Sequence, residues 1–427
     1  MPSNQELFDR ARNVIPGGVN SPVRAFSSVG GTPYFVARGA GARVWDVEGT
    51  EYLDLVQSYG AIIGGHAHPK VIEAIRAAAG DGTSYGAPTE REVLLAEEIR
   101  RRVPSCQKVR MVSSGTEATM TALRLARGAT GRNKVVKFAG NYHGHGDALL
   151  AESGSAVAHL DPAHSPGGVP GSAGVPSAAV TDTIIAPYND VPELDDTVAC
   201  VIVEPVAANM GLVQPVAGFL AGLRSECDRV GAVLIFDEVI TGFRLGWGGA
   251  QESFGITPDL TCFGKVIGGG LNVGAFGGRA DLMDHLAPLG PVYQAGTLSG
   301  NPLATAAGLA ALDLCDPDAY AWLIGQAERL AAGFQGALDA AGIPAVVATA
   351  GPLIGLHLGD TAPTTYAEAR TTDEARYAAL FHALLGRGVA LAPGAYEVMF
   401  PGLAHDDAVV DRIIEVAGGA AAAVVAP

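Results

Sequence analysis

A single lysine in an apolar, glycine-rich stretch is the residue that the sequence most clearly marks for chemistry. Lys265 is the only lysine from Phe138 to the C-terminus, and it stands between TCFG and VIGGG. Burial in such surroundings lowers the pKa of an amine, and a neutral amine can form a Schiff base with an aldehyde. A lysine that snorkels from the edge of a sheet has the same surroundings, so this segment alone leaves both interpretations open.

An aspartate at the end of a predicted buried strand is the second candidate. Asp237 follows the apolar residues 233–236 and precedes Val239 by two positions. A carboxylate here could keep a pyridine nitrogen protonated, which turns the ring into an electron sink, and Val239 could pack against a ring face. An acidic residue after a strand is also a common helix cap, so the motif alone does not decide the function.

Two further motifs could bind the rest of a phosphorylated ring. Ser114, Gly115 and Thr116 join a predicted strand to a predicted helix, where backbone N–H groups at the positive helix end suit a phosphate. Tyr142 follows the next strand and could offer an aromatic face. A helix cap and a loop aromatic are the plainer interpretations, and Thr297, in a turn-rich hydroxyl cluster, is equally weak by itself. In chain order, these motifs together with the aspartate and the lysine indicate a phosphorylated pyridine aldehyde bound to that lysine.

Strands and helices that alternate along the chain are predicted to position these residues. The patterns lie at residues 90–102 (helix), 108–112 (strand), 117–127 (helix), 134–138 (strand), 199–203 (strand) and 232–236 (strand). Such alternation predicts an α/β fold with a mostly parallel central sheet. Parallel strands bring the residues at their carboxyl ends to one edge of the sheet, so we expect the candidate residues to meet there.

The chain is predicted to form a large domain from residues 60–315 and a small α+β domain from both chain ends. Residues 1–59 contain a predicted antiparallel hairpin, and residues 316–427 contain two predicted helices around short strands. Within the large domain, residues 153–180 are rich in proline, glycine and serine. A long irregular segment of this kind is either a functional lid or disordered, and the motifs on both sides favour a lid.

The composition disfavours several classes of function. The 427 residues carry 28 Lys+Arg against 44 Asp+Glu, a net charge of −16, which disfavours nucleic acid and anionic membranes as partners. The chain begins with polar and charged residues and has no stretch able to span a bilayer, so we expect a cytoplasmic protein. Five cysteines without metal-ligand spacing fit reduced core thiols. The two His-x-His pairs, at residues 66–68 and 143–145, have no acidic cluster nearby, so we expect no metal site.

Taken together, the motifs resemble those of the class III aminotransferases, which are pyridoxal-phosphate-dependent enzymes of fold type I. The resemblance covers about residues 8–405. It rests on IPGGVNSPVRAF (15–26), GGHAHP (64–69), SGTEATM (114–120), YHGHGD (142–147), FDEVITGFR (236–244), GKVIGGG (264–270) and YQAGTLSGNPLA (293–304). It implies a fold-type-I transferase with pyridoxal 5'-phosphate or pyridoxamine 5'-phosphate as cofactor. It also implies a homodimer with active sites at the subunit interface.

The resemblance further implies a role for each candidate residue. Lys265 would carry the cofactor and shuttle protons, Asp237 would pair with the pyridine nitrogen, and Tyr142 would flank the ring. The full cofactor set would be Ser114, Gly115, Thr116, Tyr142, Asn209, Asp237, Val239 and Lys265, with Thr297 reaching the phosphate from the neighbouring subunit. The substrate set would be Ser21, Arg24, Tyr59 and Glu397.

The implied reaction is an intramolecular amino transfer. It converts glutamate-1-semialdehyde to 5-aminolevulinate through 4,5-diaminovalerate, in tetrapyrrole synthesis, and a closed lid would keep the diamine bound between its two half-reactions. Tyr59 stands where the family usually has tryptophan, and the predicted lid carries Ala156 where a glycine is common. A class III aminotransferase or a specialised aminomutase with a related small amino-aldehyde or amino-acid substrate is therefore an alternative. A non-catalytic scaffold is another, although the retained Lys265 and Asp237 argue against it.

Overall fold

The computed structural model describes residues 2–151 and 170–425, and all elements named below lie within them. The strands are β1 (Val36–Ala40), β2 (Arg43–Asp46), β3 (Glu51–Asp54), β4 (Lys108–Val112), β5 (Lys134–Phe138), β6 (Thr183–Ala186), β7 (Val198–Val203), β8 (Val233–Glu238), β9 (Leu260–Phe263), β10 (Gly274–Gly278), β11 (Val346–Ala350), β12 (Leu353–His357) and β13 (Val389–Ala390). The helices are α1 (Asn4–Arg12), α2 (Pro69–Asp81), α3 (Glu90–Arg102), α4 (Gly115–Thr130), α5 (Ser177–Val180), α6 (Phe219–Val230), α7 (Gly249–Phe254), α8 (Ala280–Met283), α9 (Pro302–Leu312), α10 (Pro317–Ala340), α11 (Tyr366–Ala369), α12 (Glu374–Leu385) and α13 (Asp407–Val425).

The central sheet contains seven strands in the order β4-β10-β9-β8-β7-β5-β6. Strand β10 is antiparallel to both of its neighbours, and the pairs that join β9, β8, β7, β5 and β6 are parallel. Every residue of β7 and β8 is buried, as expected for strands that are covered on both faces. The predicted α/β fold with a mostly parallel sheet is confirmed. The carboxyl ends of β4, β5, β7, β8 and β9 lie at one edge.

Helices cover the two faces of this sheet because successive side chains of a strand point to opposite sides. Ile235 of β8 packs in an apolar cluster with Leu125 of α4. Its neighbour Phe236 packs in a second cluster with Leu223 and Cys227 of α6. All five cysteines are buried and free, so they fill the core as predicted.

Strand β10 was not among the predicted strands, and its sequence, GAFGG, explains why. Glycine is depleted in strands and offers no side chain that would reveal a period of two. The structure shows what the glycines do here: a Cβ on Gly277 would lie 2.7 Å from the carbonyl oxygen of Lys108 on β4. The glycines therefore allow a close approach of backbones that no other residue type would permit.

The two chain ends form a second, four-stranded sheet in the order β1-β2-β3-β13. The predicted hairpin is present as the antiparallel pair β2–β3, and β13 joins β3 in parallel, with Val389 opposite Leu53. One apolar cluster unites Leu53 with Leu330 of α10, Leu380 of α12 and Ile413 of α13. The domain boundaries at residues 59/60 and 315/316 stay predictions. No helix in the described ranges combines the length and apolarity needed to cross a bilayer.

Candidate active site

The structure places Lys265 at the carboxyl edge of the central sheet. It follows β9 and opens a short 3-10 turn, with a φ of 49° that non-glycine residues rarely adopt. Its Nζ lies 5.8 Å from the centroid of the Phe400 ring. Burial lowers the pKa of Lys265 to about 8, while the charges of Glu397, Glu204 and Asp237 act in the opposite direction. The predicted lysine therefore shares its surroundings with three carboxylates.

Asp237 lies at the end of the neighbouring strand β8 and is only 5% exposed. Its Oδ2 accepts a hydrogen bond from His143 Nδ1 at 2.7 Å, and its Oδ1 accepts one from the Val239 N–H at 3.0 Å. Burial lowers the pKa of His143, against the effect of Asp237, and so favours the neutral ring. Each carboxylate oxygen keeps a second lone pair, which leaves Asp237 able to accept from a ring nitrogen.

Val239 lies between the glycine before Lys265 and the first residue of α4. An added Cβ on Gly115 would lie 3.1 Å from both methyl groups of Val239, and one on Gly264 would lie 3.1 Å from its Cγ1. Gly115 is the first residue of α4, and Gly264 directly precedes the lysine. The valine thus occupies the space that two glycines leave open, at the centre of the predicted cofactor set.

The N-terminus of α4 is capped by side chains on both sides. Ser114 Oγ accepts from the Glu117 N–H at 3.2 Å, and Glu117 Oε2 accepts from the Ser113 N–H at 2.5 Å. The side chain of Ser114 therefore caps the helix, as the plainer interpretation of this motif predicts. The following N–H groups of a first helical turn have no partner within the helix, so they remain suited to a phosphate.

The loop that carries Tyr142 rests directly on α4. Thr119 Oγ1 donates to the carbonyl oxygen of His143 at 2.7 Å. Gly144 has a φ of 81°, and an added Cβ there would lie 2.7 Å from Thr116 Cα. Burial and then the charge of Asp237 raise the pKa of the half-buried Tyr142. The predicted phosphate and ring-stacking residues are thus held side by side.

Glu204, which directly follows β7, organises the same edge. Its carboxylate accepts from the Tyr142 N–H at 2.6 Å, from the Ala208 N–H at 3.1 Å and from Asn209 Nδ2 at 2.9 Å. Burial, followed by the charge of Asp237, raises its pKa to about 7. The structure thereby connects the predicted ring residues Tyr142 and Asn209 through one buried acid.

Glu204 and His143 are the two residues of this edge that the sequence analysis missed as site residues. A signal for Glu204 was present, since it follows an apolar strand run as Asp237 does. His143 stands in the YHGHGD stretch and in a His-x-His pair, neither of which predicts its bond to Asp237. In the structure, His66 bonds to Asp54 and His143 bonds to Asp237. Within residues 2–151 and 170–425, no three His, Cys, Asp or Glu side chains form a group that could hold a metal ion.

Two of the predicted substrate residues lie within electrostatic reach of one another and of the lysine, because the charge of Glu397 acts on both Lys265 and Tyr59. Burial raises the pKa of Tyr59, which the charge of Glu397 raises further and the charge of Arg24 lowers, so these three side chains lie within electrostatic reach. Tyr59 also packs against the apolar cluster that contains Phe400. Ser21 is joined to Arg24 by the bond from the Arg24 N–H to the Ser21 carbonyl oxygen, at 3.1 Å.

Thr297 lies in a surface groove whose described lining residues include none of the other predicted cofactor residues. It is exposed and lines a surface groove together with residues 84–89 and 299–302. Arg110 donates to Gln294 Oε1 at 2.8 Å, and Arg124 donates to the Tyr293 carbonyl oxygen at 3.0 Å, which holds the preceding segment against the large sheet and α4. Apart from Thr297 itself, none of the described residues that line this groove belongs to the predicted phosphate set.

The predicted lid at residues 153–180 falls mostly outside the described residues, including Ala156. Its described part begins at Pro170, which forms an isolated bridge with Ala151, and it ends in α5. The bridge brings Ala151 and Pro170 next to each other. The fully buried Lys137 of β5 donates to the Ala151 carbonyl oxygen at 2.7 Å. This bond attaches the residue before the predicted lid to the central sheet.

Comparisons with known proteins agree with this geometry. The family profile of the class III aminotransferases matches residues 26–416. The glutamate-1-semialdehyde 2,1-aminomutase of Bordetella avium (strain 197N) is 55% identical over 423 residues, which cover 97% of each protein.

Solved structures give the same family. An omega-transaminase from Sphaerobacter thermophilus has a TM-score of 0.88 at 35% identity, over 98% of this chain and 96% of that one. A lysine-to-alanine variant of a glutamate-1-semialdehyde-aminomutase from Pseudomonas aeruginosa PAO1, in complex with PMP, has a TM-score of 0.85 at 29% identity, over 98% and 93% of the two chains. With the lysine and the aspartate at one sheet edge, these matches show that the chain belongs to the class III aminotransferase family.

Proposed function

We propose that this chain is an intramolecular aminotransferase that converts glutamate-1-semialdehyde to 5-aminolevulinate, the precursor of tetrapyrroles. The observation that carries the proposal is the 55% identity to the Bordetella avium aminomutase across 97% of both sequences. The candidate site supports it, because Lys265 and Asp237 lie at the same sheet edge, and because the charge of Glu397 reaches both Lys265 and Tyr59 while the charge of Arg24 reaches Tyr59. An isomerase of this kind needs no second amine donor.

The edge of the sheet fits pyridoxal 5'-phosphate or pyridoxamine 5'-phosphate. Asp237 would hold the ring nitrogen, since it is buried and each of its oxygens has a lone pair to spare. Val239 and Tyr142 would flank the ring, and the first turn of α4 from Gly115 would hold the phosphate. The complex of the Pseudomonas aeruginosa relative with PMP supports this assignment. When bound, the cofactor carries the amino group and accepts electrons from the substrate carbon.

Lys265 is the residue that would move protons at the reacting carbons. Its pKa, lowered to about 8 by burial, brings both the neutral and the protonated amine within reach near neutral pH. A group that must take a proton and later return it works best with such a pKa. Asp237, Glu204 and Glu397 stabilise the protonated form, so their negative charges prevent burial from lowering the pKa further.

The carboxylate and the amine of the substrate would be bound by residues near the chain ends. The Arg24 guanidinium and the Ser21 hydroxyl would bind the carboxylate, and Glu397 would attract the amine. Tyr59 would form a wall of the pocket. Because the amino group leaves one carbon and returns to another, this pocket has to exclude water and retain the diamine between the two half-reactions.

We further propose a homodimer in which Thr297 completes the phosphate site of the partner subunit. Its segment is exposed and contains apolar side chains, with Tyr293 71% exposed and Leu298 54% exposed. Exposed large apolar side chains on one segment fit a subunit interface. A cytoplasmic location is part of the same proposal, and the five buried free cysteines fit it.

An aminotransferase that works between two molecules is the second candidate. The omega-transaminase of Sphaerobacter thermophilus, with a TM-score of 0.88, favours it, because the same fold supports that reaction. Tyr59, a proposed wall of the substrate pocket, stands where the family usually has tryptophan, and such a change would alter the substrate accepted.

The test is to give purified enzyme, loaded with pyridoxamine 5'-phosphate, glutamate-1-semialdehyde alone. We expect 5-aminolevulinate in a yield that equals the substrate consumed, with no effect of an added 2-oxo acid. The Lys265→Ala variant is the control for background isomerisation. If no 5-aminolevulinate forms while another amine and a 2-oxo acid disappear in equal amounts, the chain is a transaminase and the aminomutase proposal is wrong.

A further inference from the structure

The segment between β3 and the GGHAHP stretch contains a left-handed turn. The φ angles are 43° at Gln57, 54° at Ser58, 55° at Tyr59 and 87° at Gly60. Three consecutive non-glycine residues therefore adopt a conformation in which Cβ crowds the following carbonyl oxygen. Strain of this kind persists only where the surroundings impose it, and functional sites are where it concentrates.

Hydrogen bonds inside the turn close its backbone, including one from the Ala61 N–H to the Ser58 carbonyl oxygen at 3.2 Å. The Gly60 and Ile62 N–H groups both donate to the Gln57 carbonyl oxygen, at 3.1 Å each. The Gln57 side chain, which is fully buried, donates to the Asp54 carbonyl oxygen at 3.0 Å. These bonds close the turn but leave its own carbonyl groups at Gly60 and Ile62 to be satisfied from elsewhere.

Arg244 satisfies these carbonyl groups. Its Nη2 donates to the Gly60 carbonyl oxygen at 2.8 Å and to the Ile62 carbonyl oxygen at 3.1 Å, and its Nη1 donates to the Pro401 carbonyl oxygen at 3.1 Å. The side chain is fully buried, and burial lowers its pKa to about 10. A guanidinium buried on carbonyl groups is costly to keep, so its position calls for a function.

The hydrogen bonds of Arg244, called the clamp below, join two walls of the candidate site. Gly60 directly follows Tyr59, and Pro401 directly follows Phe400, whose ring lies beside Lys265. The walls also touch each other, since a Cβ on Gly60 would lie 2.7 Å from the Phe400 ring. A movement of the guanidinium would therefore release both the tyrosine and the phenylalanine.

We propose that Arg244 is a positioning residue for substrate recognition, whose guanidinium holds the left-handed turn that presents Tyr59 to the substrate. The inference rests on the proposed function, because it takes Tyr59 as a wall of the substrate pocket. The planar fork of arginine is essential to it, since one guanidinium reaches two segments at fixed angles. A lysine keeps the charge but cannot reproduce this geometry.

The first test compares Arg244→Lys with the wild-type holoenzyme. Lysine retains the positive charge that acts on Lys265, so the change isolates geometry. We expect KM for glutamate-1-semialdehyde to rise roughly tenfold, with a smaller change in kcat, because the pocket wall and not the reacting amine is displaced. Cofactor affinity, measured by equilibrium dialysis, should stay unchanged.

A glycine at position 58 should rescue the variant. Ser58 is exposed, and glycine adopts the left-handed conformation without crowding, so Ser58→Gly stabilises the turn when the clamp is weakened. In the Arg244→Lys background it should restore KM to near the wild-type value, and alone it should leave kinetics unchanged. Ser58→Val, with a β-branched side chain that disfavours the turn, should raise KM while Arg244 is intact.

Arg102 offers a matched control. It is also a buried arginine that donates to backbone carbonyls, those of Leu312 and Cys315, and it pairs in addition with the Glu98 carboxylate at 2.6 Å. Arg102→Lys should lower the melting temperature without a change in KM, and Ser58→Gly should not rescue it. A general packing role for buried arginines would make the two variants alike.

The outcomes separate the two proposals. An unchanged KM in Arg244→Lys, or a raised KM that Ser58→Gly does not restore, overturns the positioning role. If Arg244→Lys does not fold, Ser58→Val decides, and an unchanged KM in that variant overturns the role as well. If wild-type enzyme makes no 5-aminolevulinate, the proposed function fails first, and the rescue is then read from the KM of whichever amine the enzyme converts.

Discussion

At the scale of one residue, the lowered pKa of Lys265 predicts that the rate of cofactor uptake depends on pH. Burial lowers the pKa of its amine to about 8, so the amine is protonated below that pH and neutral above it. Uptake of pyridoxal 5'-phosphate by cofactor-free enzyme should therefore accelerate about tenfold per pH unit below pH 8 and level off above it. The measurement is the rate at which absorbance of the bound cofactor appears between pH 6 and pH 10.

The control for this prediction is Lys265→Ala, which should fold normally, show no covalent uptake and lose turnover by roughly a hundred- to ten-thousand-fold. Circular dichroism checks the fold. A rate of uptake that keeps rising to pH 10 would place the pKa at the ordinary lysine value and contradict the effect of burial.

The pair of His143 and Asp237 leads to a second residue-scale prediction. The neutral ring donates from Nδ1 to a buried carboxylate, a bond that contributes about 1.5–3 kcal/mol when one partner is charged. His143→Leu should lower kcat/KM by roughly ten- to a hundred-fold, because Asp237 loses the donor that orients it. His143→Asn can place its amide N–H near the Nδ1 position and should retain most activity. Equal losses in the two variants would show that the hydrogen bond is not what matters.

At the scale of elements, the contact between α4 and the loop of Tyr142 can be tested through one glycine. A Cβ on Gly144 would lie 2.7 Å from Thr116 Cα, and its φ of 81° disfavours any side chain. Gly144→Ala should lower the free energy of unfolding by about 2–3 kcal/mol and weaken cofactor binding, because the loop must move off the helix. Denaturant unfolding and cofactor titration measure the two effects.

Gly146, in the same loop, is the matched control. A Cβ there would meet Met120 at 3.7 Å, an ordinary van der Waals contact. Gly146→Ala should therefore change the free energy of unfolding by less than about 0.5 kcal/mol, as is usual for substitutions away from such features. If both variants lose cofactor affinity equally, the contact between Gly144 and Thr116 is not the cause of the loss.

Elements also differ in how well the sequence predicts them. Strands β7 and β8 were predicted because their apolar runs are continuous, and Asp237 was placed correctly at the end of β8. Strand β10 was not, since its glycines serve a backbone approach that only the folded sheet reveals. The left-handed turn at Tyr59 was equally hidden, because Gln, Ser and Tyr have no local preference for positive φ and Arg244 lies far along the chain.

At the scale of the whole molecule, the proposed homodimer predicts complementation between two subunits with different defects. Thr297→Val should weaken phosphate binding in the partner's site, and Lys265→Ala removes the amine of its own site. In a hybrid dimer, the subunit with Thr297→Val receives an intact Thr297 from the other subunit and regains a complete site. An equal mixture that exchanges freely should recover about a quarter of wild-type activity, since half of the dimers are hybrids with one complete site each.

The assay is turnover after the two variants are unfolded together and refolded, with each variant refolded alone as the control. Activity no higher than the sum of the two separate variants would mean that Thr297 acts in its own subunit or not at all. Light scattering of the wild-type enzyme gives the oligomeric state directly. A monomer at micromolar concentration would remove the basis of this prediction.

The amino-acid sequence by itself determined which chemistry this protein could perform and the fold class that carries it. An isolated lysine, an acid after an apolar run and a glycine-rich helix start are local features, and the periodicity of strands is local as well. Only the tertiary structure decided which acids face the lysine, that Glu204 and His143 organise the ring residues, and that Arg244 clamps the turn before Gly60. Those contacts join residues far apart in the chain, and proximity of that kind arises from the pairing of strands and the packing of helices, which local composition does not encode.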